Sequence, residues 1–194
     1  MTLLERGGVA VVRGLLGDAL QATILAEATE RLGRAQRFAT NGRNLEWRGG
    51  NPARVYRATE AGPEQYRVFS CKSMTDALSD IAGFAVQCSG TGSYTYYHDT
   101  GDYLALHRDI EKCEVATITC LEDDGPELRG GLRAYPEYAE RPLVEIYQDQ
   151  PRGVELPTRP GDTIVIAGGI VPHEVTPIVA GQRRTVALAC YAPR

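Results

Sequence analysis

YTYYHDTGDYLALHRDIEKCEVATITCL, residues 94–121, decides the fold. Three short runs in it, YTYY, DYLALH and VATITCL, are rich in β-branched and aromatic residues and are parted by polar, glycine-containing turns, the composition of strands joined by short connections. The same texture continues to residue 194 through GLRAY (131–135), LVEIY (143–147), TIVIAG (163–168) and RRTVALACY (183–191). About eight short strands with Gly/Pro turns and no βαβ rhythm predict a sandwich, jelly roll or barrel instead of a doubly wound sheet.

Upstream the pattern changes. Residues 18–34 read as an amphipathic helix, with Asp18 and Gln21 as a capping-box-like start, Leu20, Ile24, Leu25, Ala28 and Leu32 on one face, and Gly33 as the stop. A second helix starts at Ser73, with Asp76 completing a capping box and Met74, Ala77, Leu78 and Ile81 as its apolar stripe. Between them, residues 41–63 are polar, glycine-rich and aperiodic, which predicts a long loop that could serve as a substrate lid. The expectation is one domain over 1–194, in which residues 1–93 are helical and loop support and residues 94–194 are a β core.

Composition narrows the function classes. Net charge is −4 with both signs mixed along the chain, so there is no electrostatic footprint for nucleic acid or an anionic membrane. No apolar run is long enough to span a bilayer, and the N-terminal residues lack the pattern of a secretory signal, so a cytoplasmic protein acting on a small molecule is expected. The five cysteines, Cys71, Cys88, Cys113, Cys120 and Cys190, are odd in number and never spaced Cys-x-x-Cys, which predicts reduced thiols.

Of three histidines, two stand in a suggestive pattern: His107-Arg108-Asp109 at the end of DYLALH, and His173 after TIVIAG. Residues i and i+2 of an extended segment face the same side, so His107 and Asp109 can both point into a barrel where a histidine from a distant strand completes a triangle. Two imidazoles and a carboxylate on one face of a metal leave the opposite positions open, which suits iron(II) but also zinc or manganese. Ten residues past His173 stands Arg183, followed by Arg184 and Thr185. A guanidinium fork beside a hydroxyl is a receptor for a carboxylate; Arg183 and Thr185 share a face, and Arg184 is expected on the other. His98 and Asp99 look like a second pair but lack a third partner, and are read as structural.

Taken together, His107-Arg108-Asp109, Gly130-Gly131-Leu132, Gly161-Asp162, His173-Glu174-Val175-Thr176-Pro177 and Gly181-Gln182-Arg183 resemble the iron(II)/2-oxoglutarate-dependent dioxygenase superfamily, closest to its prolyl-hydroxylase-like branch, over residues 94–194. The resemblance implies a double-stranded β-helix (jelly roll, cupin-like) core with flanking helices. It implies iron(II), 2-oxoglutarate and O2 as cofactor and co-substrates, with His107, Asp109 and His173 on the metal. Arg183 would grip the remote carboxylate, helped by Thr185, by Tyr97 ten residues before His107, and by Thr119. Arg108, Arg129 and Arg133 would lie near the pocket mouth as candidates for a substrate anion.

Halogenating members of the superfamily lack the metal-binding carboxylate that Asp109 supplies here, so hydroxylation or another oxidation of a C–H bond of a small molecule, such as an amino acid or biosynthetic intermediate, is the implied activity. The alternative is a non-oxidative cupin-like metal-binding protein or isomerase on the same three ligands. A silent interaction protein has no support, because every expected site residue is present. Oligomeric state stays open between monomer and homodimer.

Overall fold

Residues 86–97 and 184–193 become the two longest strands, and they lie side by side. In a computed structural model, which describes residues 2–125 and 130–194, the elements run β1 (Val9–Arg13), α1 (Asp18–Arg31), β2 (Gln36–Thr40), β3 (Arg54–Glu60), α2 (Pro63–Ser70), α3 (Lys72–Ala82), β4 (Val86–Tyr97), β5 (Tyr103–His107) and β6 (Val115–Asp123). They continue with β7 (Leu132–Ala134), α4 (Leu143–Asp149), β8 (Val154–Leu156), β9 (Asp162–Ile166), β10 (His173–Val175) and β11 (Arg184–Pro193). The strands join antiparallel in the order β1-β9-β6-β11-β4-β3-β5-β10-β7-β8, with β2 on the free side of β3. Because β3 pairs with both β4 and β5, a larger and a smaller sheet are continuous and fold over one another as a jelly roll, the double-stranded β-helix.

Alternation sorts side chains between two layers. On β4, Tyr94 and Tyr96 turn outward beneath α1, where the Tyr96 hydroxyl donates to the Ala28 carbonyl at 2.6 Å and the Tyr94 hydroxyl to Glu27 at 2.6 Å. Tyr191 on β11 does the same beneath α2, donating to the Phe69 carbonyl at 2.8 Å. These phenols bury large apolar rings while satisfying their hydroxyls, which fastens the helices over the sheet. The opposite phase of both strands faces the space between the sheets. On α1, Ile24 and Ala28 are fully buried as expected, whereas Leu20 is 39% exposed. Neither α1 nor α3 has a side-chain cap; α1 begins after extended Gly17 and α3 after extended Cys71.

Three sequence expectations are corrected. LVEIY is not a strand but α4: it follows Pro142, and Leu143 and Ile146, three apart, enter a small second core with Leu106, Tyr135 and Tyr138. A five-residue apolar run fits either period, and here the helical one is satisfied by tertiary contacts. Residues 41–63 are not all loop, since β3 occupies Arg54–Glu60, and the N-terminal half supplies β1, β2, β3 and most of β4 to the sheet. The β3 strand was hidden because both of its faces are polar, with Arg54 toward the cavity between the sheets and Arg57 toward Asp99 outside. Finally, Cys113 and Cys190 form a disulfide, with Cα atoms 4.5 Å apart, because the pairing of Val115 with Tyr191 brings them together across 77 residues. Cys71, Cys88 and Cys120 are free. No helix among the described residues is long and apolar enough to cross a membrane.

Candidate active site

His107 is the last residue of β5 and His173 the first of β10, and the antiparallel register sets them directly opposite each other. Their rings lie 4.3 Å apart between centroids. Asp109, two residues on, turns its Oδ1 to within 3.6 Å of His107 Nε2 and 3.7 Å of His173 Nε2. Donors that share one metal at about 2.1 Å stand roughly 3 to 3.5 Å apart, so the cluster needs only small movements to hold a divalent ion.

Each imidazole is oriented from behind. Nδ1 of His107 lies 2.9 Å from the Ala105 carbonyl and Nδ1 of His173 lies 2.9 Å from that of Val171; a carbonyl only accepts, so the proton sits on Nδ1 and the Nε2 lone pair faces the cluster. Burial, reinforced by neighbouring His107, pushes the His173 pKa down to about 4, so it is neutral at neutral pH. Burial alone would raise Asp109, but the two imidazoles and Arg48 outweigh it and hold the carboxyl below its ordinary range. A neutral His173 and an ionised Asp109 are protonation states that suit a metal. Asp109 Oδ2 is buried without a hydrogen-bond donor, a costly arrangement that a cation in the cluster would relieve.

The loop carrying Asp109 is braced on two sides. Its amide donates to the Gly168 carbonyl at 2.8 Å, and Gly168 sits so close that a Cβ there would collide with Asp109 Oδ2. Arg48, in the loop before β3, donates from Nε to the Asp109 carbonyl at 3.1 Å and from Nη2 to that of Ile110 at 2.8 Å, while Nη1 pairs with Glu114 at 2.6 Å. A Cβ at Gly169 would strike this guanidinium. The tandem glycines therefore make room for a ligand and for its brace. Gly168→Ala is expected to lower divalent-metal affinity roughly 10- to 100-fold, the usual effect of disturbing a ligand's support. Calorimetric titration of nickel(II) into folded protein measures it; unchanged affinity would remove Gly168 from the argument.

A chamber of about 360 Å³ extends from this cluster between the sheets. At its other end lie Arg184 and Tyr97, paired in register on β11 and β4. Arg184 is only 2% exposed. Its Nη1 donates to Asp123 at 2.9 Å and Thr158 at 3.1 Å, whereas its Nε is buried with no acceptor. Burial above all, with Tyr56 adding to it, raises the Tyr97 phenol far above its ordinary value against the pull of Arg184 and Arg54, so it stays a neutral donor.

The parity expected for β11 is thus reversed: Arg184 faces the chamber, and Arg183 and Thr185 face outward. Arg183 is exposed, with its amide held by Asp124 and Nη2 3.4 Å from His98. Thr185 donates to Glu122 at 3.1 Å and lies 2.9 Å from His98 Nε2. Eight residues separate β10 from β11, and a connection of that length leaves the phase of the next strand undetermined by counting. Thr119 points away from the chamber into a bond with Thr163 at 2.9 Å, while its neighbour Ile118 lines the cavity.

Two of the three expected substrate arginines are held by their surroundings among the described residues. Arg108 is fully buried, donating to the carbonyls of Ile170, Trp47, Tyr138 and Arg141 and lying 4.3 Å from the Trp47 ring centre. Arg133 is held on the outer face of the smaller sheet by Glu155 at 2.6 Å and Glu174 at 3.1 Å. Arg129 lies outside the described residues. His98 and Asp99 are engaged locally, the first packed on Tyr96 and the second paired with Arg37 at 2.8 Å. Sequence reasoning missed Arg48, Gly168 and Gly169; the one available signal was the Gly-Gly that closes TIVIAGG.

No protein-family profile and no curated protein sequence matches the chain. Solved structures do match in fold. A non-haem α-ketoglutarate-dependent epimerase from nogalamycin biosynthesis aligns with a TM-score of 0.74 at 18% identity, covering 97% of this chain and 77% of its own. A prolyl-4-hydroxylase from Pseudomonas putida aligns with a TM-score of 0.64 at 18% identity, covering 99% and 96%. A non-haem α-ketoglutarate-dependent carbocyclase, also from nogalamycin biosynthesis, aligns with a TM-score of 0.70 at 15% identity, covering 95% and 79%. The chain thus shares its double-stranded β-helix fold with non-haem iron, 2-oxoglutarate-dependent enzymes, and within that fold it carries a buried His-Asp-His cluster.

Proposed function

We propose that this chain is an iron(II)- and 2-oxoglutarate-dependent oxygenase that hydroxylates a C–H bond of a small molecule. The observation that carries the reading is the pair of orphaned buried atoms at opposite ends of one chamber: Asp109 Oδ2 beside two imidazoles, and Arg184 Nε beside Tyr97. One end suits a divalent metal and the other a carboxylate, which are the two demands of a metal-chelated oxodiacid.

In this reading His107, Asp109 and His173 would hold the iron, since two imidazoles and one carboxylate are a donor set suited to iron(II). Arg184 and the Tyr97 hydroxyl receive the remote carboxylate of 2-oxoglutarate, and Asp123 and Thr158 fix the guanidinium so that its Nε is aimed before the ligand arrives. Leu132, Val175 and Val186 line the chamber with apolar surface that excludes water. When bound, iron and 2-oxoglutarate together supply the activation of dioxygen, with release of succinate and carbon dioxide. The chamber's size favours a small substrate over a macromolecule.

Anaerobic addition of iron(II) and 2-oxoglutarate is expected to give the weak visible charge-transfer band of a chelated oxoacid, and admission of oxygen to give succinate. Folded protein that binds iron but develops no band would overturn the reading in favour of a non-oxidative cupin-like metal protein.

A further inference from the structure

Of the three cations lining the chamber, two are accounted for. Arg108 is filled by four backbone carbonyls and Trp47, and Arg184 is paired with Asp123. Arg54, on β3, is different. It has no carboxylate partner among the described residues, and its hydrogen bonds are local: Nε to the Pro52 carbonyl at 3.0 Å, Nη2 to Asn51 at 3.0 Å, and a long contact of 3.4 Å from Nη1 to the Tyr56 hydroxyl. A guanidinium carries five N–H donors, so two remain, on a group whose position is set from behind.

The wall of β4, which starts at Tyr97 beside Arg54 and runs away from it, is polar in a regular way. On β4 the residues alternating inward are Thr91, Ser93, Thr95 and Tyr97, and the hydroxyls of the first three make no hydrogen bond to another described residue. On the adjacent strands the inward positions are Ile118, Val186 and Leu188. The chamber thus has a cationic corner, a ladder of hydroxyls and an apolar flank. The metal and carboxylate roles proposed above use Tyr97, which Arg54 adjoins, but neither Arg54 itself nor the three unpaired hydroxyls.

Resting on that proposed function, we propose that Arg54 is the receptor for an anionic group on the primary substrate. The substrate class is then a small carboxylic acid with a polar group on one edge, to meet Thr95, the unpaired hydroxyl nearest to Arg54, and hydrocarbon on the other, to meet Val186, which pairs with Thr95. A guanidinium with two free donors recognises a carboxylate bidentately, and a partly enclosed site strengthens the attraction. Placing the acid at a fixed corner holds one region of the substrate toward the His-Asp-His cluster, the positioning a site-selective oxidation needs.

The test uses benzoate, with neutral benzamide as control, titrated anaerobically into protein saturated with iron(II) and 2-oxoglutarate and followed by saturation-transfer NMR. The expected result is one saturable benzoate site that leaves the charge-transfer band in place, affinity reduced roughly 10- to 100-fold in Arg54→Gln and less in Arg54→Lys, and no comparable binding of benzamide. The band in Arg54→Gln reports that the variant is folded and loaded. Equal benzoate binding in wild type and Arg54→Gln, no saturable site in the wild type, or benzamide binding as tightly as benzoate would each overturn the proposal. A fall in 2-oxoglutarate affinity in Arg54→Gln matching that of Arg184→Ala would also overturn it, because Arg54 would then serve the co-substrate. If the wild type gives no band at all, it is the iron and 2-oxoglutarate reading that fails; saturable, Arg54-dependent benzoate binding to the nickel(II)-loaded protein then still supports the anion site, and its absence there overturns it.

Discussion

Arg184→Ala is expected to weaken 2-oxoglutarate binding about 100-fold, while Arg183→Ala changes it by less than about twofold. The two arginines are adjacent in sequence and opposite in environment. Arg184 projects into a low-dielectric chamber with a bare Nε, and a charge-assisted hydrogen bond made there contributes about 1.5–3 kcal/mol, with a second N–H able to add to it. Arg183 lies on the outer face in solvent. Removing Arg184 also takes the cation from Asp123, its part-buried partner at 2.9 Å, which keeps the Gln182 amide and the Gly125 N–H on its other oxygen, so a modest loss of stability accompanies the alanine variant. Arg184→Lys separates the effects: it keeps a cation for Asp123 but loses the planar fork, so stability recovers more than affinity does. Titrations followed at the charge-transfer band, with thermal unfolding alongside, measure both. A larger affinity loss in Arg183→Ala than in Arg184→Ala would reverse the assignment of the inward arginine.

Asp109→Ala is expected to abolish tight iron binding, lowering affinity by more than about 100-fold, beyond what loss of an outer-shell partner costs. Two imidazoles remain, but the anionic donor of the cluster is gone. In the metal-free protein the surroundings of Asp109 already favour its charged form, so alanine costs some stability there. Added iron is expected to raise the stability of wild type and not of the variant, as binding to the native state requires. Paired thermal melts with and without iron(II) under anaerobic conditions decide it. A strong iron-induced rise in the variant would mean that Asp109 is not a principal ligand.

Gly168 connects these two expectations to the backbone. Its lack of a side chain lets the strand end close over Asp109, and its carbonyl receives the Asp109 amide. Next to it Gly169 leaves space for Arg48, which ties the loop of residues 41–53 to the ligand segment. That part of the presumed lid is a brace, fastened by backbone carbonyls that no substitution removes.

Much of the fold was legible from local pattern. Runs such as VATITCL and TIVIAG alternate or stay apolar because they are buried on one or both faces, and that burial depends on their own side chains. The spacing of His107 and Asp109 placed both on one side of an extended segment for the same reason, and His173 was marked by its scarcity and by the strand before it. Hidden from the sequence was everything that depends on which strand meets which. LVEIY became a helix because Leu106, Tyr135 and Tyr138 offered a pocket to a three-residue period. The Cys113–Cys190 bridge rests on the register of β6 with β11, set by pairings distant in the chain. The inward arginine is Arg184 and not Arg183 because strand phase is fixed by hydrogen bonding to β4 and β6, not by the number of residues after His173. Sequence alone determined which chemical groups are present and which neighbours share a face. The tertiary structure decided which face is inside, because a shift of one residue in register inverts every side chain of a strand and only packing against the rest of the chain selects between the two.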